Sequence, residues 1–369
     1  MNALEWTQAL VKQNTISPSG NEEHVLSMIA DELQRAGFFV TLHPYDQGMP
    51  GRCSLTARLS PNAISPALLF GGHIDTVPLG TAPWSHDPFL ACCEGGFIHG
   101  RGSVDMKSGI GCMLSACLSM AGRLKGRDLA IHIYGGEETG NLGSSNVARH
   151  PELFKGVAAA IVCEPTACAP KLGHRGCLWL KARSAGKTAH ASMPEQGDNA
   201  LCKLIRSLAP LTDFNFPDVH PVLGRSSFVI STMKAGININ SVPDFAEATI
   251  DIRCLPGQTA EVMIEQVQKA AGPDAAISEI RMIPAVWTDP GNSFVKKVFS
   301  LFGGGVKAEP VAFFTDASSL QGILGGAPII IMGPGMTEMA HQTDEKCALS
   351  DIAFMEDMYK KVIASFYGL

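Results

Sequence analysis

The chain has 369 residues, 46 % of them hydrophobic and 17 % charged, with a formal net charge of −6. That length accommodates two domains or one large one, and that apolar share excludes a disordered protein. No run of Lys or Arg marks a nucleic-acid or anionic-membrane surface, no stretch of about 18 apolar residues predicts a membrane-spanning helix, and Met1-Asn2-Ala3-Leu4-Glu5-Trp6 lacks the basic and apolar regions of a signal peptide. Eleven cysteines, an odd number without a C-x-x-C pair, predict reduced, buried thiols in a cytoplasmic protein, not a disulfide framework or a cysteine-held zinc.

In chain order, Asn21 is placed to cap a helix with Glu22 and Glu23 in its first turn. Val25, Ile29 and Leu33 recur at every fourth position, and Gly37 ends it. Strands are expected at about 38–42, 54–59 and 67–71, a small-residue-rich helix over Lys107–Ala121, and further strands at Leu129–Tyr134 and 158–163. This alternation predicts a sheet covered by helices. From about Gly176 the pattern changes, with strands at 177–183, 228–233 and 246–253 and amphipathic helices near 199–211 and 260–271. In the third of these strands Ala246, Ala248, Ile250 and Ile252 alternate with Glu247, Thr249, Asp251 and Arg253, the mark of a sheet with one wet face. After about Pro284 the α/β pattern returns, 328–332 is strongly strand-like, and Ser350 is placed to cap a final helix carrying Ile352, Met355, Tyr359, Val362 and Phe366. The expected fold class is α/β with an inserted α+β domain: residues 1–175 and 285–369 form the larger domain and 176–284 the insert.

Ionisable groups gather where apolar strands stop. They occur in Gly72-His73-Ile74-Asp75-Thr76-Val77-Pro78, in Gly100-Arg101-Gly102-Ser103-Val104-Asp105-Met106-Lys107, in Gly135-Gly136-Glu137-Glu138-Thr139-Gly140, in Cys163-Glu164-Pro165-Thr166 and in Met339-Ala340-His341-Gln342-Thr343-Asp344-Glu345. Each alone reads as an ordinary loop. Together they matter, because open α/β sheets bind ligands outside the carboxyl ends of their strands, and two histidines with several carboxylates suit a divalent ion such as zinc. A metal-binding His needs its second ring nitrogen held, commonly by a carboxylate, and His73 with Asp75 offers that pair.

The motifs G-H-x-D-T-V-P, G-R-G-x-x-D-M-K, G-G-E-E-x-G, E-P-T and A-H-Q-x-D-E resemble those of the M20 family of dinuclear zinc amidohydrolases, the group of acetylornithine deacetylase, succinyl-diaminopimelate desuccinylase, aminoacylase and carboxypeptidase G. The likeness runs from the first helices to the last. It implies a zinc-peptidase-like catalytic domain, a mixed sheet between helices, with the insert acting as a lid and making a homodimer. It implies two divalent ions, Zn2+ first and Co2+ or Mn2+ as alternatives. His73 and Glu164 would hold one, Glu138 and His341 the other, and Asp105 would bridge both. Asp75 would orient His73, Glu137 would be the general base, and a cis peptide would follow Asp105. His190 would stabilise an oxyanion, in its own subunit or a partner's. Asn240 and Arg253 would hold the substrate's carbonyl and carboxylate, and Gly333 and Gly335 would form a substrate-facing loop. Thr315-Asp316-Ala317-Ser318 matches a segment near the site, and Cys163 replaces the family's usual glycine.

The chemistry is coherent on its own terms: two metals about 3.5–4 Å apart share a water and lower its pKa, and Glu137 takes its proton and passes it to the leaving amine. The expected reaction is hydrolysis of an N-acyl amino acid, acetylornithine deacetylase-like. Desuccinylase or carboxypeptidase/dipeptidase activity on a short peptide is the alternative, and a catalytically silent binding protein the alternative of another class. Glu137 as a third ligand, His190 as a surface turn residue and Arg253 on a solvated face stay open as competing readings. His86, His99, His132 and His174 receive no role, and no nucleic acid or membrane is expected as a partner.

Overall fold

The computed structural model describes residues 1–18, 20–45 and 48–369, and the chain divides into two compact units. The first comprises Met1–Gly173, Trp287–Val311 and Thr315–Leu369; the second is His174–Val286 with Ala312–Phe314.

In the first unit, α1 (Ala3–Val11) and α2 (Glu22–Arg35) precede the strands β1 (Phe39–Pro44), β2 (Cys53–Arg58) and β3 (Ala67–His73). A short hairpin of β4 (Cys92–Glu94) and β5 (Phe97–His99) leads to α3 (Lys107–Ala121), β6 (Leu129–Tyr134), α4 (Leu142–Val147) and β7 (Val157–Val162). The central sheet runs β1-β2-β6-β3-β7 and ends on the strand Ile329–Ile331. The first two pairings are antiparallel, and those of β3 with β6, β3 with β7 and β7 with the last strand are parallel. Parallel strands have both faces covered, and β3 and β6 are buried throughout. The core joins Leu68, Phe70, Ile131 and Ile161 of the sheet to Ile110, Leu114 and Cys117 of α3, and to Met355, Tyr359 and Val362 of the C-terminal helix.

The parallel arrangement puts the carboxyl ends of β3, β6, β7 and Ile329–Ile331 on one edge. His73 is the last residue of β3, Gly135 to Glu138 follow β6, Glu164 follows β7 after one residue, and Gly333 follows the last strand after one residue. Three of the motifs therefore converge because of topology. The His341 motif comes later, after the last strand and a 3-10 turn, and the motif around Asp105 is carried into place by the loop before α3. Glu345, wholly buried, grips that loop: Oε1 accepts the N–H groups of Val104 at 2.7 Å and Asp105 at 3.1 Å, and Oε2 accepts those of Gly102 at 3.0 Å and the Arg101 guanidinium at 2.7 Å. The Asp105–Met106 peptide is cis, as the resemblance implies.

The second unit holds an antiparallel sheet in the order 227–235, 245–253, 177–185, 276–283. The helices Ala200–Leu208 and Ala260–Ala271 bury Leu204, Leu208, Met263 and Val267 against Leu180, Ala248, Ile250 and Ile252. The strand Phe245–Arg253 alternates as expected, its even-numbered residues from Ala246 to Ile252 buried and its odd-numbered ones not. The chain is thus a mixed α/β domain, its sheet flanked by helices, with an inserted, β-rich second domain.

Three local expectations need correction. Ser350 does not cap the last helix, which starts at Leu349 with Ala348 as its N-cap and no side-chain capping bond. Asn21 precedes α2 without making a capping bond. The helix expected over 199–211 is α-helical only to Leu208, because Pro210 interrupts it and a 3-10 turn follows. All eleven cysteines are free, and among the described residues no helix is long and apolar enough to cross a membrane.

Helix α3 lies close against the residue that follows β7, and Gly109 is the reason it fits: a Cβ there would stand 2.0 Å from the backbone oxygen of Cys163. In an exposed helix Gly→Ala stabilises by up to about 1 kcal/mol. Here Gly109→Ala is expected to lower the unfolding free energy by about 1–3 kcal/mol, seen as an earlier denaturation midpoint. Glu345→Gln sets an amide NH2 against backbone donors and is expected to lower it by about 1–3 kcal/mol as well; an unchanged midpoint would refute the clamp.

Candidate dinuclear metal centre

Two clusters of ligand atoms stand at the carboxyl edge of the sheet: His73, Asp105 and Glu164 in one, Asp105, Glu138 and His341 in the other, each with its donors within 4.8 Å of one another. Asp105 belongs to both. Its Oδ1 is 3.1 Å from His73 Nε2, and its Oδ2 is 3.2 Å from His341 Nε2. His73 Nε2 is also 3.7 Å from Glu164 Oε1, and His341 Nε2 is 3.2 Å from the Glu138 carboxylate. His73 is fully buried, whereas His341 is half exposed and held at φ 64°, a conformation uncommon outside glycine.

The second nitrogen of His73 identifies what the first can do. Nδ1 lies 3.0 Å from the backbone oxygen of Asp75, so it carries the hydrogen and donates it. In the neutral ring Nε2 then has a bare lone pair facing two carboxylates, a geometry that calls for a cation or a proton. Burial alone would lower the pKa of His73, but Glu164 and Asp105 more than reverse it and drive it well up. His341 is pushed to about 10 by its bonds to Asp105 and then Glu138. Among the acids, burial followed by the repulsion of Asp105 raises Glu138 to about 7. Burial lifts Glu137 and Glu164 well above the usual carboxylate range, with their acidic neighbours adding to it. So many acids in one low-dielectric pocket are mutually costly, and the donor set of two imidazoles and three carboxylates is the one that hard-to-borderline divalent ions take. The residues present therefore fit two divalent ions sharing Asp105.

Asp75 is wholly buried, and its carboxylate serves chiefly the neighbouring strand end. Oδ1 accepts the N–H of Glu137 at 3.0 Å; Oδ2 accepts the N–H of Glu138 at 3.3 Å and the hydroxyl of Ser17 at 2.6 Å. Its distance to His73 Nδ1 is 3.6 Å, longer than that from Nδ1 to Asp75's own carbonyl. Glu137 is in neither ligand cluster. Behind this turn, a Cβ at Gly136 (φ 66°) would stand 2.6 Å from the Tyr45 hydroxyl and 2.7 Å from Arg52, so that position requires glycine.

Gly333 packs against the Glu164 turn with both backbone groups engaged. Its N–H donates to Thr166 Oγ1 at 3.1 Å, and its oxygen accepts from Cys168 at 3.0 Å; Gly335 accepts from Ala167 at 2.8 Å. Cys163 is buried, and burial pushes its thiol to about 12, so it sits as a packed neutral group and not as a ligand. Three further residues were given no individual role in the sequence reading. Ser17 and Glu345 support the site as described. Asp316 is buried, raised to about 7 by burial, bonded to Asn141 at 3.4 Å through Oδ1, and has no hydrogen-bond partner for Oδ2 among the described residues. The quoted motifs contained Asp316 and Glu345, but a motif does not show which backbone donors a carboxylate will meet.

His190, Asn240 and Arg253 belong to the second unit. A bridge between His190 and Ser241 brings the first two together, and the Ala191 N–H donates to Asn240 at 2.9 Å. The exposed His190 accepts the Ser192 N–H on Nδ1 at 3.2 Å, which leaves Nε2 as the hydrogen-bearing nitrogen of the neutral ring. Arg253 grips Asp251, Nε to Oδ1 at 2.9 Å and Nη2 to Oδ2 at 3.2 Å.

A family model described as Peptidase family M20/M25/M40 matches residues 69–365. The chain is similar to a succinyl-diaminopimelate desuccinylase of Methylorubrum extorquens, 29 % identical with 99 % of this chain and 98 % of that one covered. It is also similar to an acetylornithine deacetylase of Proteus mirabilis, 28 % identical with 91 % and 87 % covered. In fold it is similar to an M20 family metallo-carboxypeptidase, Sso-CP2, from Sulfolobus solfataricus, with a TM-score of 0.77, 18 % identity and the whole of both chains covered. With most of its length matched by the family model and two clusters of metal-ligand type at the sheet edge, the chain belongs to peptidase family M20 and is a metal-dependent hydrolase.

Proposed function

We propose that the protein cleaves the amide of an N-acyl amino acid, with an N-succinyl diamino diacid of the diaminopimelate type as its substrate. The observation that carries the hydrolytic reading is a buried carboxylate, Glu137, beside two metal-type clusters and outside both. The sequence expectation put deacetylation of acetylornithine first. The fuller coverage of a desuccinylase favours the succinyl substrate, and the deacetylase similarity keeps acetylornithine as the second reading.

His73, Asp105 and Glu164 would hold one divalent ion, and Asp105, Glu138 and His341 the other. When bound, these ions polarise the scissile carbonyl and acidify water. Glu137 acts as the general base: its raised pKa, from burial and neighbouring acids, lets it accept the proton of the attacking water and return it to the departing amine. Asp75 positions it, because the Glu137 N–H is fixed on that carboxylate. His190 Nε2–H serves as donor to the developing oxyanion. Asn240 holds the substrate carbonyl, and Arg253 takes its carboxylate in exchange for Asp251. Gly333 and Gly335 act by shaping the turn that carries Glu164. The inserted domain is assigned as lid and homodimer surface.

Glu137→Gln is expected to lower kcat/KM by about 10²–10⁴ while metal content stays at the wild-type level; loss of an ion would make Glu137 a ligand instead. Asp75→Asn turns an NH2 toward backbone donors. It should cut kcat by about 10–100-fold with metal partly retained, and unchanged turnover would remove Asp75 from the mechanism. A panel of N-succinyl-diaminopimelate, N-acetylornithine, acyl-glutamates and dipeptides is expected to give its highest kcat/KM with the succinyl compound. Preference for acetylornithine would reinstate the deacetylase, and turnover of dipeptides alone would reject deacylation.

A further inference from the structure

We propose that His86, Cys92 and Glu94 form a separate, mononuclear site for a borderline divalent cation of the Zn2+ type. The site is built by the β4–β5 hairpin and the loop before it, and none of its residues belongs to the dinuclear clusters.

The hairpin turns through Gly95 and Gly96, at φ 59° and 86°, the two-glycine signature of a tight primed turn. Its register pairs Cys92 with His99 and Glu94 with Phe97. Side chains alternate along a strand, so Cys92 and Glu94 share one face with His99, while Cys93 points to the other. The preceding loop brings His86 to that face. Its ring packs against that of His99 at a tilt of 45°, with centroids 4.4 Å apart, and its Nε2 lies 3.5 Å from Glu94 Oε2. One nitrogen, one sulfur and one carboxylate oxygen thus lie within 4.8 Å of one another. Metal bonds of about 2.0–2.3 Å set tetrahedral ligand–ligand edges at about 3.3–3.8 Å. The His86–Glu94 separation already falls in that range, and Glu94 is exposed enough to swing the remainder.

The loop is anchored before any ion arrives. Asp344 accepts the Ser85 N–H at 2.7 Å and its hydroxyl at 2.8 Å, and Asp87 Oδ1 accepts the Phe89 N–H at 2.9 Å. His99 is the wall on which His86 rests, and its Nδ1 is buried without a hydrogen-bond partner among the described residues. A mixed N, S, O set discriminates against Mg2+ and Ca2+, which take oxygen alone. Binding displaces the Cys92 thiol proton to solvent, leaves the fourth position to water and ties the loop to the hairpin.

Sulfur separates this site from the dinuclear centre, whose candidate ligands include none. Full-length protein equilibrated with Co2+ is expected to bind one equivalent more in the wild type than in Cys92→Ser, and to show a thiolate-to-cobalt charge-transfer band that Cys92→Ser and His86→Ala both lose. Cys92→Ser should keep wild-type hydrolytic activity. Equal stoichiometry in wild type and Cys92→Ser, or a thiolate band that survives the substitution, would overturn the site. The band reports on sulfur alone, so the outcome stands apart from the fate of the dinuclear reading.

Discussion

The site depends on one buried carboxylate bridging two strand ends. Asp75 leaves β3 two residues after His73 and receives the N–H groups of Glu137 and Glu138 from the turn after β6, while its own carbonyl holds the His73 ring. Fixing both N–H groups of that turn on one carboxylate holds its backbone in a conformation that leaves Glu138 in a ligand cluster and Glu137 in neither. A charge-assisted bond to a buried carboxylate is stronger than a neutral one, and removing its acceptor would strand two backbone donors. The imidazole, the ligand and the base are thereby oriented by a single residue, through its carbonyl and its carboxylate.

Around that link the chain gathers acids at a density that a protein interior does not otherwise tolerate. Asp75, Glu137, Glu164 and Asp316 are buried and Asp105 and Glu138 nearly so, with two imidazoles among them. A structural network of this size would pair its acids with Arg or Lys. Here the basic residues sit at the periphery: Arg101 on Glu345, Arg52 on Glu22, Arg58 on Asp128. Lys107, whose ammonium donates to the Gln13 carbonyl at 2.7 Å, is lowered to about 7 by burial and does not neutralise the centre. The interior is arranged to receive positive charge from outside the chain.

Much of this was legible in the sequence, for reasons that differ by element. Lys107–Ala121, Leu129–Tyr134 and Ala260–Ala271 appear at the expected residues because burial on all sides leaves a continuous apolar run in the first two and burial on one side a periodic stripe in the third. His73, Glu137, Glu138 and Glu164 were legible because each follows an apolar run closely, whereas Asp105 and His341 were legible only as parts of motifs. What the sequence hid are relations set by tertiary partners. The hydroxyl at Ser350 suggested a cap, but the C-terminal helix starts at Leu349, two residues earlier than that cap would set it. Arg253 looked free to meet a substrate, but Asp251, two positions away on the same strand face, already occupies its guanidinium. Glu345 was visible as part of a motif, whereas its four donors come from a loop more than two hundred residues away in the chain. His86 and Cys92 carried no signal because the path of the loop before the hairpin, which no spacing reveals, brings them together.

The unequal burial of the two histidines imposes an order of events. His341 is 51 % exposed and His73 is 1 % exposed, yet both face the same Asp105. An ion bound by His341 and Glu138 would be in exchange with solvent, and one bound by His73 and Glu164 would lie behind it. With both sites filled, loading would run inner pocket first and unloading outer pocket first, like a column with one open end. The outer ion would then set how long the inner one stays, a kinetic asymmetry in an otherwise paired set of ligands.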